Sequence, residues 1–129
     1  FTGLSFAARD PVIEALAEAT RDRSVLVVAA ADLAHIGPAF SGPAVDVEGR
    51  ARLRRSDEAL LAAMSAGDAE GFFAALRDSG DRNNVCGLPP IYLALRFLGD
   101  ARGDAVAYDQ CPADDHNTSW VSVAGMIWH

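Results

Sequence analysis

The stretch SVLVVAAA, Ser24 to Ala31, constrains the fold more than any other part of the chain. After its first residue it is apolar without interruption, and valine dominates its first half. A half-exposed strand alternates apolar with polar residues, and a surface helix repeats its apolar positions every three or four; this run does neither. A strand that is apolar on both faces is buried on both faces, as in a parallel sheet covered by helices. The sequence therefore predicts an α/β fold: a mostly parallel central sheet flanked by helices.

The segments around that run supply the helices. In ARDPVIEALAEATRDR, Asp10 suits an N-cap and Pro11 the first helical position, with Val12, Leu16 and Ala19 near one face. The loop DLAHIGPAFSGP follows the apolar run, punctuated by Gly37, Pro38, Gly42 and Pro43. A long helix is predicted from about Val47 to Ala66, with Leu53, Leu60, Leu61 and Met64 as its apolar stripe and Arg52, Arg54, Arg55, Asp57 and Glu58 solvated. Gly67 ends it, and Asp68 caps the helix AEGFFAALRDSG. PIYLALRFLG reads as another helix, GDAVAYDQC as a short strand and HNTSWVSVAGMIWH as a final strand. Residues 1–129 carry no internal repeat or linker, so a single domain is expected. The chain opens on Phe1, in an apolar piece that reads like the tail of a strand.

The formal charge of −7 and pI near 4.7 argue against nucleic acid as a partner, which calls for a basic face. All eleven basic residues are arginine, which with the abundant alanine fits a GC-rich coding bias. No apolar run approaches the roughly 20 residues of a membrane span, and no signal peptide is visible. Two cysteines without a CxxC do not make a disulfide framework, so a reducing cytoplasm is expected.

Two places can carry chemistry. Asp32 and His35 directly follow the apolar run, where α/β folds gather functional groups at the carboxyl ends of strands. An imidazole there can act as acid, base or metal ligand; equally, the pair can be a turn cap and a surface histidine. The second place is Cys86, in DRNNVCGLPPIYLALRFLG. It stands just before a helix start, whose free N–H groups and dipole favour a thiolate, as nucleophile or soft metal ligand. A small buried hydrophobe is the competing reading. Asn83 and Asn84 either orient groups around Cys86 or make the turn, and Arg96 suits an ion pair. Cys111, His129 and the acidic loop Asp114-Asp115-His116 read as structural or solvated. There is no phosphate loop and no histidine or cysteine pair at zinc-ligand spacing, and no cysteine-hydrolase motif surrounds Cys86 or His35.

Taken in order, VVAAADLAHIGPAF, DAEGFFAALRDSGDRNNVCGLPPIYLALRFL and YDQC…NTSWVSVAGMIWH resemble the carboxyl-terminal half of the Memo family, also described as AmmeMemoRadiSam system protein B. The specific parts are Asp-x-x-His-x-Gly and Asn-x-Cys-Gly, followed by a Ser-Val-x-x-Ala-Gly ending. The resemblance implies a fold similar to LigB-type class III extradiol dioxygenases and a redox or dioxygenase-like activity with iron or copper. It implies Cys86 as a metal ligand, His35 as acid/base and Asp32 as the group orienting it. It also implies two histidine ligands in an amino-terminal half that these residues do not include. Residues 1–129 are therefore expected to be the carboxyl-terminal portion of a Memo-like domain, and its sheet to expose an apolar edge. A homo-oligomer or a complementing amino-terminal half would cover that edge. The alternative is a non-catalytic binding or adaptor module that takes a peptide or small-molecule ligand in the same pocket.

Overall fold

The computed structural model describes residues 10–129; the opening apolar piece read as a strand tail lies outside the described residues. Helix α1 runs from Asp10 to Thr20, α2 from Val47 to Ser65, α3 from Ala69 to Ser79 and α4 from Leu88 to Leu98. The strands are β1, His35–Ile36, β2, Gly103–Pro112, and β3, Trp120–Trp128. Helices and sheet make an α/β fold, as the sequence predicts.

The helix boundaries follow from local chemistry. Asp46 caps α2 by accepting from the Gly49 N–H at 2.7 Å, and Asp68 caps α3 by accepting from Gly71 at 2.8 Å. Gly67 breaks α2 from α3 at φ +66°, where a Cβ would press on the Ala101 carbonyl oxygen at 2.4 Å. Helix α2 packs on β2 and β3, α3 on α2 and α4, and α1 on α4. Leu60, Met64, Phe72, Leu76, Ile91, Tyr92 and Leu95 form the core between them, with Leu33 and Val85 from the loops.

Two expectations about the sheet are corrected. Among the described residues it has three strands in the order β1-β3-β2, and both pairings are antiparallel rather than parallel. The run Ser24–Ala31 forms neither helix nor ladder strand. Most of its large side chains, read as doubly buried, face out: Val25 is 48 %, Leu26 89 % and Val28 74 % exposed, while Val27 is half-buried. A strand needs a neighbour on its edge before its side chains are covered, and the described residues provide none there. Ala29 packs against the core, and just beyond the run the chain bonds to the sheet. Leu33 N–H donates to the Ser122 carbonyl at 2.9 Å, and His35 pairs with Val121.

A third correction concerns α2. Asp57, placed among its solvated residues, is completely buried. It falls on the same helix face as Leu53, Leu60 and Met64, at the three- and four-residue spacing that defines the buried stripe.

Candidate metal centre

Asp32 and His35 lie at either end of a short segment whose middle, Leu33 and Ala34, is buried. Burial of the middle turns the two polar ends to one side. The second wall is the turn between α3 and α4, which is fastened to the first by main-chain bonds. His35 N–H donates to the Asn83 carbonyl at 2.7 Å, and the Asn84 side-chain amide donates to the His35 carbonyl at 3.1 Å. Asn84 holds φ +48°, a left-handed conformation that asparagine accepts more readily than most residues. Its carbonyl thereby sits 3.3 Å from His35 Nδ1. Gly87 admits the close approach: a Cβ there would lie 2.5 Å from the Asp32 carbonyl oxygen.

The two walls bring a carboxylate oxygen of Asp32, a ring nitrogen of His35 and Sγ of Cys86 within 4.8 Å of one another. His35 Nε2 is 3.6 Å from Asp32 Oδ2, and the Cys86 thiol reaches the Asp32 carbonyl at 3.6 Å. Donors around a four-coordinate ion at bonds of about 2.0–2.3 Å stand about 3.5 Å apart, so this cluster needs only a small contraction to close. With Nδ1 donating to Asn84, Nε2 presents its lone pair toward a carboxylate and a sulfur. Three electron-rich atoms facing one space are stable when a cation, a metal or a proton, lies between them. The donor set of one thiolate, one imidazole and one carboxylate fits a borderline transition metal, and Cys86 leaves the open side toward solvent.

One reason given for a thiolate is corrected. The first turn of α4 has no free N–H: Leu88 donates to Val85, Pro89 and Pro90 have none, and Ile91 donates to Gly87. Only the helix dipole acts on Cys86 from that side.

The remaining candidates lie elsewhere. Cys111 is exposed on β2, opposite Val121. His129 faces Asp104 at 3.9 Å, and Arg96 donates to the Tyr92 hydroxyl at 2.9 Å. Asp114 organises its own loop, accepting from the Thr118 N–H and hydroxyl and from the His116 N–H. The Ser119 hydroxyl first, then these donors, hold its carboxyl down at about 2.

A polar group that the sequence did not single out lies behind the segment. Tyr108 donates to Asp57 Oδ2 at 2.8 Å, Gln110 donates to the Tyr108 hydroxyl at 2.9 Å, and Arg50 donates to Gln110 at 3.2 Å. Burial pushes the Asp57 carboxyl up, against the opposing effects of Ser122 and Tyr108. Burial and the neighbouring Asp57 carboxylate push the Tyr108 phenol up to about 12, while Gln110 acts the other way. The phenol thus stays a donor. A cavity of about 510 Å³ opens on the far side of Ile36 and Asn84, lined also by Arg52, Ser56, Arg82 and Asn83.

No curated protein matches the chain. Comparison with protein-family models matches residues 5–127 to the family described as Memo-like protein. That span takes in both walls of the donor cluster, from Asp32 to Cys86, and all of the sheet but the last residue of β3. On that match over nearly its whole length, the chain belongs to the Memo family.

Proposed function

We propose that this protein binds a single transition-metal ion, iron or copper, at Asp32, His35 and Cys86, and uses it in redox or dioxygenase-like chemistry. The observation that carries this reading is the convergence of the three donor atoms within 4.8 Å. The ion would supply one-electron chemistry or Lewis acidity at a position left open to solvent. Cys86 anchors it as thiolate. Asn84, by accepting from His35 Nδ1, fixes the tautomer that leaves Nε2 free. His35 Nε2 lies 3.6 Å from Asp32 Oδ2, so the ion would be held between the two, and Cys86 would give up its thiol proton on binding it. Asp32 beside it would orient the imidazole as the acid–base group at the ion.

Equilibrium dialysis against Cu(II) and Fe(II), with metal analysis, tests the proposal. It expects about one equivalent per chain, lost in Cys86→Ala and weakened in His35→Ala. Binding that survives both substitutions places the ion elsewhere and ends the reading. The cavity beside Ile36 and Asn84 favours a second reading, a module that takes a small molecule or peptide. Under that reading, ligand capture is unchanged by Cys86→Ala and lost in Arg82→Ala.

A further inference from the structure

Ser122 is completely buried in the middle of β3, and it makes three hydrogen bonds to the two residues between Asp32 and His35. Its carbonyl accepts from Leu33 at 2.9 Å, its N–H donates to the Ala34 carbonyl at 3.0 Å, and its hydroxyl oxygen accepts from Ala34 N–H at 2.9 Å. The first two are main-chain bonds that any residue could make. The third needs a hydroxyl. It leaves the Ser122 proton pointing away from the segment, toward Asp57.

Asp57 is an expensive residue in that place. A buried carboxylate is costly to hold, and this one has a partner on Oδ2 but none on Oδ1 within hydrogen-bond distance. An apolar side chain on the same helix face would pack without that cost. The carboxylate does orient neighbours: Tyr108 donates to Oδ2, and the Ser122 hydroxyl acts on the same carboxylate. The buried chain therefore runs from Gln110 through Tyr108, Asp57 and Ser122 to the Ala34 N–H, one residue before His35.

We infer that Ser122, with Asp57 behind it, is a positioning pair for the metal centre, fixing the Leu33–Ala34 backbone so that Asp32 and His35 meet Cys86. The inference rests on the metal-binding reading. Neither residue touches the ion. Asp57 holds the Ser122 hydroxyl in the rotamer that accepts from Ala34, and that bond sets the direction in which His35 leaves the segment. Outer residues of this kind commonly change metal affinity by about 10–100-fold.

The test is titration with Co(II) alone, read by the sulfur-to-cobalt absorption band, on proteins whose near-ultraviolet circular dichroism matches the unchanged chain. Ser122→Ala is expected to weaken Co(II) binding about tenfold and to shift the band, and Asp57→Asn to do so by about threefold. Phe72→Ala, a core truncation in α3, is the control for a merely structural effect. It lowers stability but leaves cobalt affinity within about twofold. Equal affinity in Ser122→Ala and the unchanged chain, or a loss in Phe72→Ala as large as in Ser122→Ala, overturns the inference. Should Asp57→Asn fail to fold, Tyr108→Phe loosens the Asp57 carboxylate behind Ser122 by removing its Oδ2 partner. If the unchanged chain takes up no cobalt, the metal reading fails and the positioning claim is still decided on the metal-free protein. His35 ring ¹⁵N shifts at fixed pH, with Ala34 amide exchange, then move in Ser122→Ala and Asp57→Asn if the pair acts as inferred. Unmoved signals refute it.

Discussion

Replacing Gly87 by alanine perturbs the candidate centre without removing any donor atom. Gly87 has φ −69° and ψ −8°, which alanine adopts freely, so the effect is purely one of contact. The added Cβ would stand 2.5 Å from the Asp32 carbonyl oxygen, 2.7 Å from Ile91 Cδ1 and 3.3 Å from Ala31 Cβ. The Ile91 methyl can turn aside. The Asp32 carbonyl cannot move far, because the next two residues are tied to Ser122. An unstrained contact needs about 3.5 Å, so the two walls must part by about 1 Å. Forcing such a gap into packed structure costs about 1–3 kcal/mol. The same displacement carries Cys86, the preceding residue, away from Asp32 and His35. Gly87→Ala is therefore expected to lower the urea midpoint and to weaken Co(II) binding by about tenfold or more, a change the size of losing a group that orients ligands. Gly80→Ala provides the contrast. Its Cβ meets nothing, so its cost of about 1–2 kcal/mol comes from φ +66° alone and cobalt affinity stays put. A Gly87→Ala protein that binds cobalt as tightly as the unchanged chain refutes the reasoning, since the two walls would then not be set by this contact.

Further predictions concern the core, the pH response and the exposed run. Phe72, completely buried between α3 and its neighbours, should cost about 3–5 kcal/mol when cut to alanine, read by urea unfolding. The Asp114 carboxyl lies near 2 when folded and at its usual, higher value when unfolded, so it stabilises the fold above about pH 4, an effect lost as pH falls toward 2. Asp57 runs the other way: its folded value is raised, so its contribution falls as pH rises above about 4. Acid titration followed by circular dichroism should therefore show a shallower acid loss in Asp114→Asn, and in Asp57→Asn a stability that no longer declines on the rising side. The exposed Leu26 and Val28 should make the chain self-associate at high concentration, and sedimentation should show less association in Leu26→Ser with Val28→Ser. Unchanged association in that double variant would mean that other surfaces drive it.

The helices were legible because their signals are local. Asp68 caps α3, Gly67 takes the left-handed turn before it, and two prolines fit the first turn of α4. The partner of the apolar run and the pairing of β1 were not legible, because they depend on which distant segment lies alongside. The valines of Ser24–Ala31 suggest a strand but name no partner, and the run joins no ladder. The seven residues between β2 and β3 are too few for a parallel crossover and so encode that antiparallel pair, whereas β3 meets β1 across a long separation that no local signal spans. Asp57 shows a different failure. Its charge suggested solvent, while its spacing from Leu53 and Leu60 already put it on the buried face. At the site, the residue types at Asp32, His35 and Cys86 were readable. Their meeting was not, since Cys86 lies 54 residues from Asp32, and the resemblance to the Memo family alone joined them. Ser122 was invisible as a site residue: a serine in a strand announces nothing until its hydroxyl is seen to accept from the segment that carries the donors.

X-ray absorption at the metal edge of the copper- or iron-loaded protein tests the central claim most directly, because it counts the atoms around the ion. One sulfur at about 2.2–2.3 Å, with nitrogen or oxygen neighbours near 2.0 Å, is the predicted shell, and the sulfur disappears in Cys86→Ala. A shell of nitrogen and oxygen only, unchanged by that substitution, would mean that Asp32, His35 and Cys86 do not together hold the ion.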